Sequence, residues 1–218
     1  MRIGIVGAGR IGHALAVRFV DVGHEVMLSN SRGPDTLVDV IASIGPGARA
    51  GTVADAARFG EFVAIAIPLP AIRYLPPDPF ADKIVLDANN YYPEPGRRVP
   101  ELDADEITSS ELLASLLPGA RVVKAFNTIY FWRLLDDSRP DLPAEDRLAV
   151  PISGDDANAK RRVLDLIDEI GFTGMDAGTL AESRQHQPGS PLYLAFAKAR
   201  AAGATLTASA ARDLLTSS

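Results

Sequence analysis

Arg2-Ile3-Gly4-Ile5-Val6-Gly7-Ala8-Gly9-Arg10-Ile11-Gly12 is the stretch whose reading decides the fold. The apolar run Ile3 to Val6 reads as a buried strand, and it opens directly into Gly7-x-Gly9-x-x-Gly12. An alanine- and leucine-rich helix follows, from about Arg10 to Val22. Glycines cluster in many tight loops, so the motif alone says little. In the order strand, turn, helix, each glycine has a separate task. Gly7 permits the sharp turn, Gly9 lets a pyrophosphate approach the backbone, and Gly12 lets helix and strand pack closely. Phosphates would then sit on unpaired N–H groups at the helix N-terminus, where the dipole favours negative charge. The plainer alternative is an ordinary strand–helix connection.

Working outward, strand-like and helical segments alternate. Further strands read at His24 to Leu28, Arg49 to Thr52, Phe62 to Ile67, Lys83 to Ala88 and Arg121 to Phe126. Helices read at about Asp35 to Ile44, Val53 to Phe59 and Ser109 to Leu117, with a proline-rich loop from Tyr92 to Pro100. Asp136 to Glu145 reads as an exposed connection. Leu148 to Ser153, Asp156 to Ile170 and Phe172 to Asp176 form one more strand–helix–strand unit, and a helix is expected after Pro191. Such alternation predicts an α/β protein, a doubly wound, mostly parallel Rossmann sheet with a short helical C-terminal extension. The whole chain, 1–218, reads as one domain: a dinucleotide-binding core over 1–130, then the additional unit and C-terminal helix over 131–218.

The bulk numbers restrict the function. The 218 residues carry 22 Lys plus Arg against 28 Asp plus Glu, a net charge of −6, which favours neither nucleic acid nor an anionic membrane as partner. Cysteine is absent, so thiol nucleophiles and thiolate metal sites are excluded. No apolar run approaches the roughly 20 residues that span a bilayer, and the first strand begins too early for a signal peptide. A cytoplasmic location is expected.

The second strand's end chooses the dinucleotide. NAD-binding sites place Asp or Glu there to accept from the ribose 2′-OH. This chain has Ser29-Asn30-Ser31-Arg32-Gly33-Pro34, with no carboxylate before Asp35. Hydroxyls, an amide and a guanidinium can all donate to a 2′-phosphate, and Arg32 can do so as a charged fork. NADP is therefore expected over NAD. Asn and Ser could instead cap the following helix.

Ligands of open α/β sheets bind beyond the carboxyl ends of the strands. Those positions hold Ile67, Pro68 and Leu69, then Asn89 and Asn90, then Asn127 and Thr128. The lining is mostly amides and small groups, although each Asn could equally be a turn former. Acid–base machinery is sparse. His13 and His24 read as structural or surface residues, His186 as part of a solvated loop, Lys124 as a snorkelling lysine and Glu101 to Glu106 as a solvated face. No metal-ligand spacing stands out. Hydride transfer between stacked heterocycles needs mainly proximity and orientation, whereas carbonyl reduction ordinarily needs a proton donor. The acceptor is thus expected to be a redox heterocycle.

Taken in order, Gly7-Ala8-Gly9-Arg10-Ile11-Gly12, Ser29-Asn30-Ser31-Arg32, Ile67-Pro68, Asp87-Ala88-Asn89-Asn90, Val123-Lys124-Ala125-Phe126-Asn127-Thr128 and Asp176-Ala177-Gly178 resemble the NADPH:F-420 oxidoreductase family. Its members exchange hydride between NADPH and an 8-hydroxy-5-deazaflavin. The resemblance implies that Gly7, Gly9, Arg10, Ile11 and Gly12 hold the pyrophosphate and Asn30, Ser31 and Arg32 the 2′-phosphate. Ile67, Pro68 and Asn89 complete the expected cofactor-binding set. Asn127 to Ile129 would border the deazaflavin pocket, which makes Asn127 a cofactor-site residue and the candidate for orienting the acceptor. Deazaflavin-using members often carry His where this chain has Asn127. The Lys-Ala-Phe-Asn-Thr version also resembles the NADPH-oxidising domain of membrane metalloreductases, which pass hydride to a flavin. The acceptor therefore stays open between deazaflavin coenzyme F-420 and a flavin. Alternatives are reduction of a small imine or carbonyl compound, whose enzymes add a helical substrate domain, and a non-enzymatic NADP(H) sensor. The expected partner is a small-molecule redox cofactor, and the alanine-rich C-terminal helix offers a face for a homodimer.

Overall fold

The computed structural model describes residues 1–95 and 98–216. The expected Tyr92 to Pro100 loop thus includes two residues, Gly96 and Arg97, that lie outside the described ones. The first strand is β1 (Arg2–Val6), followed by α1 (Arg10–Asp21), β2 (Glu25–Ser29), α2 (Val38–Ile44), β3 (Ala48–Gly51), α3 (Val53–Phe59) and β4 (Phe62–Ile65). Next come β5 (Ile84–Asp87), the one-turn α4 (Pro100–Asp103), α5 (Ser109–Leu116), β6 (Arg121–Lys124) and α6 (Phe131–Asp136). The chain continues through β7 (Ala149–Gly154), α7 (Ala157–Glu169), β8 (Thr173–Asp176), α8 (Pro191–Ala201) and α9 (Ala208–Thr216).

The strands form one eight-stranded sheet in the order β3-β2-β1-β4-β5-β6-β7-β8. All neighbours are parallel except β6 and β7, which pair antiparallel through Val123–Gly154 and Lys124–Ser153. Strand order reverses between β1 and β4, where successive crossovers leave in opposite directions and open a crevice. The fold is therefore the doubly wound, mostly parallel α/β sheet that the alternation predicts.

Each face of the sheet has its own apolar layer. α1 buries Gly12, Leu15, Ala16 and Phe19, a stripe at helical spacing, against Ile3, Ile5 and Leu28. α7 packs the far end of the same layer with Ala159, Val163, Leu166 and Ile167. Val63, Ile65, Phe80, Val85 and Leu113 fill the opposite layer. A fully buried side chain such as Phe19 contributes about 1.5–3 kcal/mol by leaving water. Two helices start on reciprocal caps: Thr52 with Asp55 for α3, and Thr108 with Glu111 for α5.

Boundaries moved where local chemistry competed. The expected helix over Asp35 to Ile44 begins as a 3-10 turn, Pro34–Leu37, because Pro34 follows Gly33 at φ 95° and sets a tight entry. The C-terminal helix is two helices, broken after Ala201 around Gly203. α6 was not anticipated; its six residues are too short to show a helical period.

Candidate active site

The crevice at the strand-order reversal is lined by the glycine turn. Gly7 has φ +113°, and a Cβ there would lie 2.2 Å from the Ala66 carbonyl oxygen. A Cβ on Gly12 would lie 1.8 Å from the Gly7 carbonyl oxygen, so only glycine lets α1 start this close to the turn. Gly9 differs from both: a Cβ there would meet nothing within 4 Å, since it faces the open crevice. Gly9 is also the N-cap of α1 and offers no side-chain cap. The first-turn N–H groups therefore point into the crevice with the dipole behind them, the donor set a pyrophosphate requires.

A cavity of about 680 Å³ extends from this turn across the end of β2 and under the segment after β4. It gathers Gly7, Gly9, Asn30, Ser31, Arg32, Ile67 and Pro68, all named from the sequence. Gly12 lies behind them, buried between α1 and the turn. Asn30 shapes the loop: its Nδ2 donates to Thr36 Oγ1 at 2.9 Å, and its Oδ1 accepts from the Arg32 N–H at 2.9 Å. Asn30 holds the backbone, while Ser31 and Arg32 are exposed at the cavity rim. The Arg32 guanidinium has no ion-pair or hydrogen-bond partner among the described residues.

A second cavity, about 440 Å³, continues along the carboxyl ends of β4 and β5 and is lined by Gly9, Arg10, Ile11, Ile67, Pro68, Asn89 and Tyr92 among others. Asn89 is buried, and its Oδ1 accepts from the Ile67 N–H at 3.0 Å. Its Nδ2 is buried without a hydrogen-bond partner.

Behind Asn89 lies a charged network. Lys124 is completely buried, not snorkelling as expected, because β6 is an interior strand covered by α5 on that face. Its Nζ donates to the Asn89 carbonyl and to the Ser109 and Ser110 hydroxyls, each at 3.1 Å. It also lies 3.5 Å from Asp87 Oδ2. Asp87 in turn accepts from the Ser110 hydroxyl at 2.6 Å and from the Asn89 N–H at 3.0 Å. Burial pulls the Lys124 ammonium below the ordinary lysine range, and the Asp87 charge opposes that pull. The network clamps the β5 and β6 ends against each other and fixes the backbone of Asn89.

Past β6 the backbone makes an unusual move. Phe126 takes φ +65°, costly for a non-glycine residue, and turns Asn127 inward. Asn127 Nδ2 donates to Asn90 Oδ1 at 3.0 Å and to the His186 carbonyl at 2.7 Å. Its Oδ1 pairs with His186 Nδ1 at 3.0 Å. Since that oxygen can only accept, His186 carries its proton on Nδ1, and Nε2 accepts from the Ser153 hydroxyl at 2.9 Å. Both ends of the Asn127 side chain are therefore occupied within the protein, and the residue lies in the wall of the third cavity. His186 is wholly buried, which corrects the solvated-loop reading. Burial, with the nearby Lys124 charge, pushes it down to about 3.

This wall encloses a third cavity, about 270 Å³, that shares Arg10, Ile11, Ala88, Asn90 and Tyr92 with the second. Its sides are aromatic: Tyr92, Phe126, Tyr130, Phe131 and Tyr193. Tyr92 and Tyr193 join hydroxyl to hydroxyl at 2.8 Å, tying the loop after β5 to α8. Burial raises the Tyr193 phenol above its ordinary range. The tyrosine pair, the Asn127–His186 contact and the Lys124 network escaped the sequence reading, since each joins distant segments with no shared motif. Among the described residues no cluster of His, Asp or Glu could hold a metal ion, and no helix is long and apolar enough to cross a membrane.

Sheet, glycine turn and crevice together define a Rossmann-type dinucleotide-binding protein. The profile of the family described as "NADP oxidoreductase coenzyme F420-dependent" matches residues 2–91. A hypothetical protein of Sinorhizobium meliloti with a known crystal structure is 34% identical, with 88% of this chain and 92% of that one covered at a TM-score of 0.75. The chain belongs to this family of NADP-dependent oxidoreductases. A putative F420-dependent NADP reductase from Arthrobacter shares the fold at 23% identity and a TM-score of 0.74, covering 93% of this chain and 95% of that one. Rat metalloreductase STEAP3 (Rattus norvegicus) is 31% identical over 186 residues, which are 84% of this chain and 35% of that protein. The chain thus spans about a third of the length of the curated relatives it matches.

Proposed function

We propose that the protein transfers a hydride between NADPH and a flat heterocyclic acceptor of the deazaflavin (coenzyme F-420) or flavin type. The observation that carries this reading is the continuity of the second and third cavities. A nicotinamide held by the wall of Ile67, Pro68 and Asn89 would face directly into an aromatic-sided space. Dihydronicotinamide supplies the hydride, and the chain's own contribution is placement. The α1 N-terminus would hold the pyrophosphate, Ser31 and Arg32 the 2′-phosphate, and the unpartnered Asn89 Nδ2 the carboxamide. Holding two rings in contact converts a bimolecular step into one within a complex, an advantage that reaches about 7–11 kcal/mol in well-oriented systems.

A reduction of an imine or carbonyl compound would need a proton donor in the third cavity, and the tyrosine pair is the group placed to serve. The two hydroxyls are bonded to each other, however, and the cavity's sides are otherwise aromatic, which suits a flat ring better than a small polar substrate. The ring acceptor is therefore favoured. The test is to incubate NADPH and protein with F-420, FMN, FAD, ferric chelates, simple imines or ketones in turn and to follow the nicotinamide absorbance. Rapid oxidation with a ring acceptor and none with simple imines or ketones is expected; the reverse pattern would overturn the proposal.

A further inference from the structure

The third cavity does not end at its aromatic walls. Thr128, Ile129, Tyr130 and Tyr193 line it and also line a small recess of about 50 Å³ between the segment after β6 and helix α8. The recess has room for about two waters, so it fits a compact polar group and excludes a second ring. Two arginines border it. Arg133 is engaged, by Asp137 through Nε and by the Ala204 carbonyl at 2.9 Å through Nη1. Arg200 has no carboxylate partner among the described residues, and its guanidinium carbon lies 3.6 Å from the centre of the Tyr130 ring. Stacking on the ring face holds the plane in place while its N–H edges stay available for oxygen. A second observation also points to a ligand: Thr128 is 8% exposed and its Oγ1 is buried without a partner. Among the described residues no carboxylate lines either cavity, although the chain carries a net charge of −6.

We infer that this recess is an anion subsite for the acceptor, in which Arg200 and Thr128 bind a phosphate or carboxylate arm attached to the flat ring. The inference rests on the ring-acceptor reading and sharpens it. An acceptor with such an arm is selected over the bare ring, and the arm fixes which end of the ring enters first. Arg10 also lines the third cavity, its guanidinium carbon 5.1 Å from the centre of the Phe131 ring, but it does not line the recess, which leaves Arg200 as the cation there without a carboxylate partner among the described residues.

Riboflavin and FMN differ by one phosphate, and 8-hydroxy-5-deazariboflavin and F-420 differ by the whole anionic arm. Their binding to the NADP-loaded protein can be titrated by quenching of ring fluorescence. The wild-type protein is expected to prefer the arm-bearing form of at least one pair by ~10-fold or more, the scale of one charge-assisted hydrogen bond. Which pair shows the preference tells a phosphate monoester from the longer deazaflavin arm. Arg200→Ala should bring that ratio to within about twofold, with Arg200→Lys in between and Thr128→Val lowering it severalfold. Equal affinities in wild-type protein for both pairs, or an unchanged ratio in a folded Arg200→Ala protein, would overturn the subsite while leaving the ring reading intact. Failure of every ring compound to bind would overturn both.

Discussion

The two halves of the cleft are built differently. On the β1–β2–β4 side the site is made of backbone: a glycine turn, the N-terminus of α1 and a loop braced by Asn30. On the β5–β6 side it is made of side chains in networks: Lys124 with Asp87 and Asn89, Asn127 with His186, Tyr92 with Tyr193. Backbone sites tolerate almost any neighbour that keeps the turn. Network sites depend on partners brought together only by the finished fold. The first design suits a ligand part common to many enzymes, and the second a part that must be discriminated.

The largest effect is expected at Lys124. Lys124→Met should leave Asp87 buried and unpaired and destabilise the protein by about 3–5 kcal/mol in denaturant unfolding. Adding Asp87→Leu to it should restore most of that loss, because the penalty is the orphaned charge and not the missing pair. If the double variant is as unstable as the single one, the network is not an electrostatic clamp.

Next in size is the contrast between two glycines. Gly12→Ala places a Cβ against the Gly7 carbonyl and should cost about 3 kcal/mol. Gly9→Ala meets open space, so thermal stability should hold while calorimetric NADPH affinity drops at least ~10-fold through the lost approach to the pyrophosphate. Parallel losses in both variants would deny Gly9 its separate part.

Arg32→Ala should weaken NADPH binding by roughly 10- to 100-fold, the scale of hydrogen bonds to a charged group, and leave NADH almost unaffected. Equal losses for the two nucleotides would remove the 2′-phosphate from this loop.

The smallest effect at neutral pH is on His186, where it shows only as a slope on acidification. An unfolded chain protonates His186 near its ordinary 6.5, whereas the folded chain does so only near about 3. Unfolding below pH 6.5 therefore takes up a proton. The stability contributed by neutral His186 is complete above that pH and declines by about 1.4 kcal/mol per unit as the solution is acidified toward pH 3. His186→Gln should flatten that part of the acid unfolding curve, and an unaltered slope would place the titration elsewhere.

The same contrast explains what was legible. The glycine turn, the Ser29 to Arg32 loop and most strands could be read because a local pattern fixes local backbone. The turn demands positive φ at Gly7, and the sheet demands apolar runs at β1, β4 and β5. Lys124 and His186 were misread because a sequence gives each a charge but not its burial. Lys124 meets Ser109 and Ser110 only once α5 covers β6, and His186 meets Asn127 only after a 3-10 turn carries it across 59 residues. The reversed pairing of β7 was equally hidden, since a strand's residues do not state its direction.

On the proposed function, hydride passes directly from nicotinamide to a ring held in the aromatic cavity. A single-turnover reaction with NADPH deuterated at the transferable C4 position and a deazaflavin acceptor tests it most directly, because the label stays on carbon in the reduced deazaflavin. The account predicts that deuterium appears in that product and that its transfer is slower than that of hydrogen. NADPH oxidation without label in the reduced ring, or no oxidation with any flavin or deazaflavin, would contradict it.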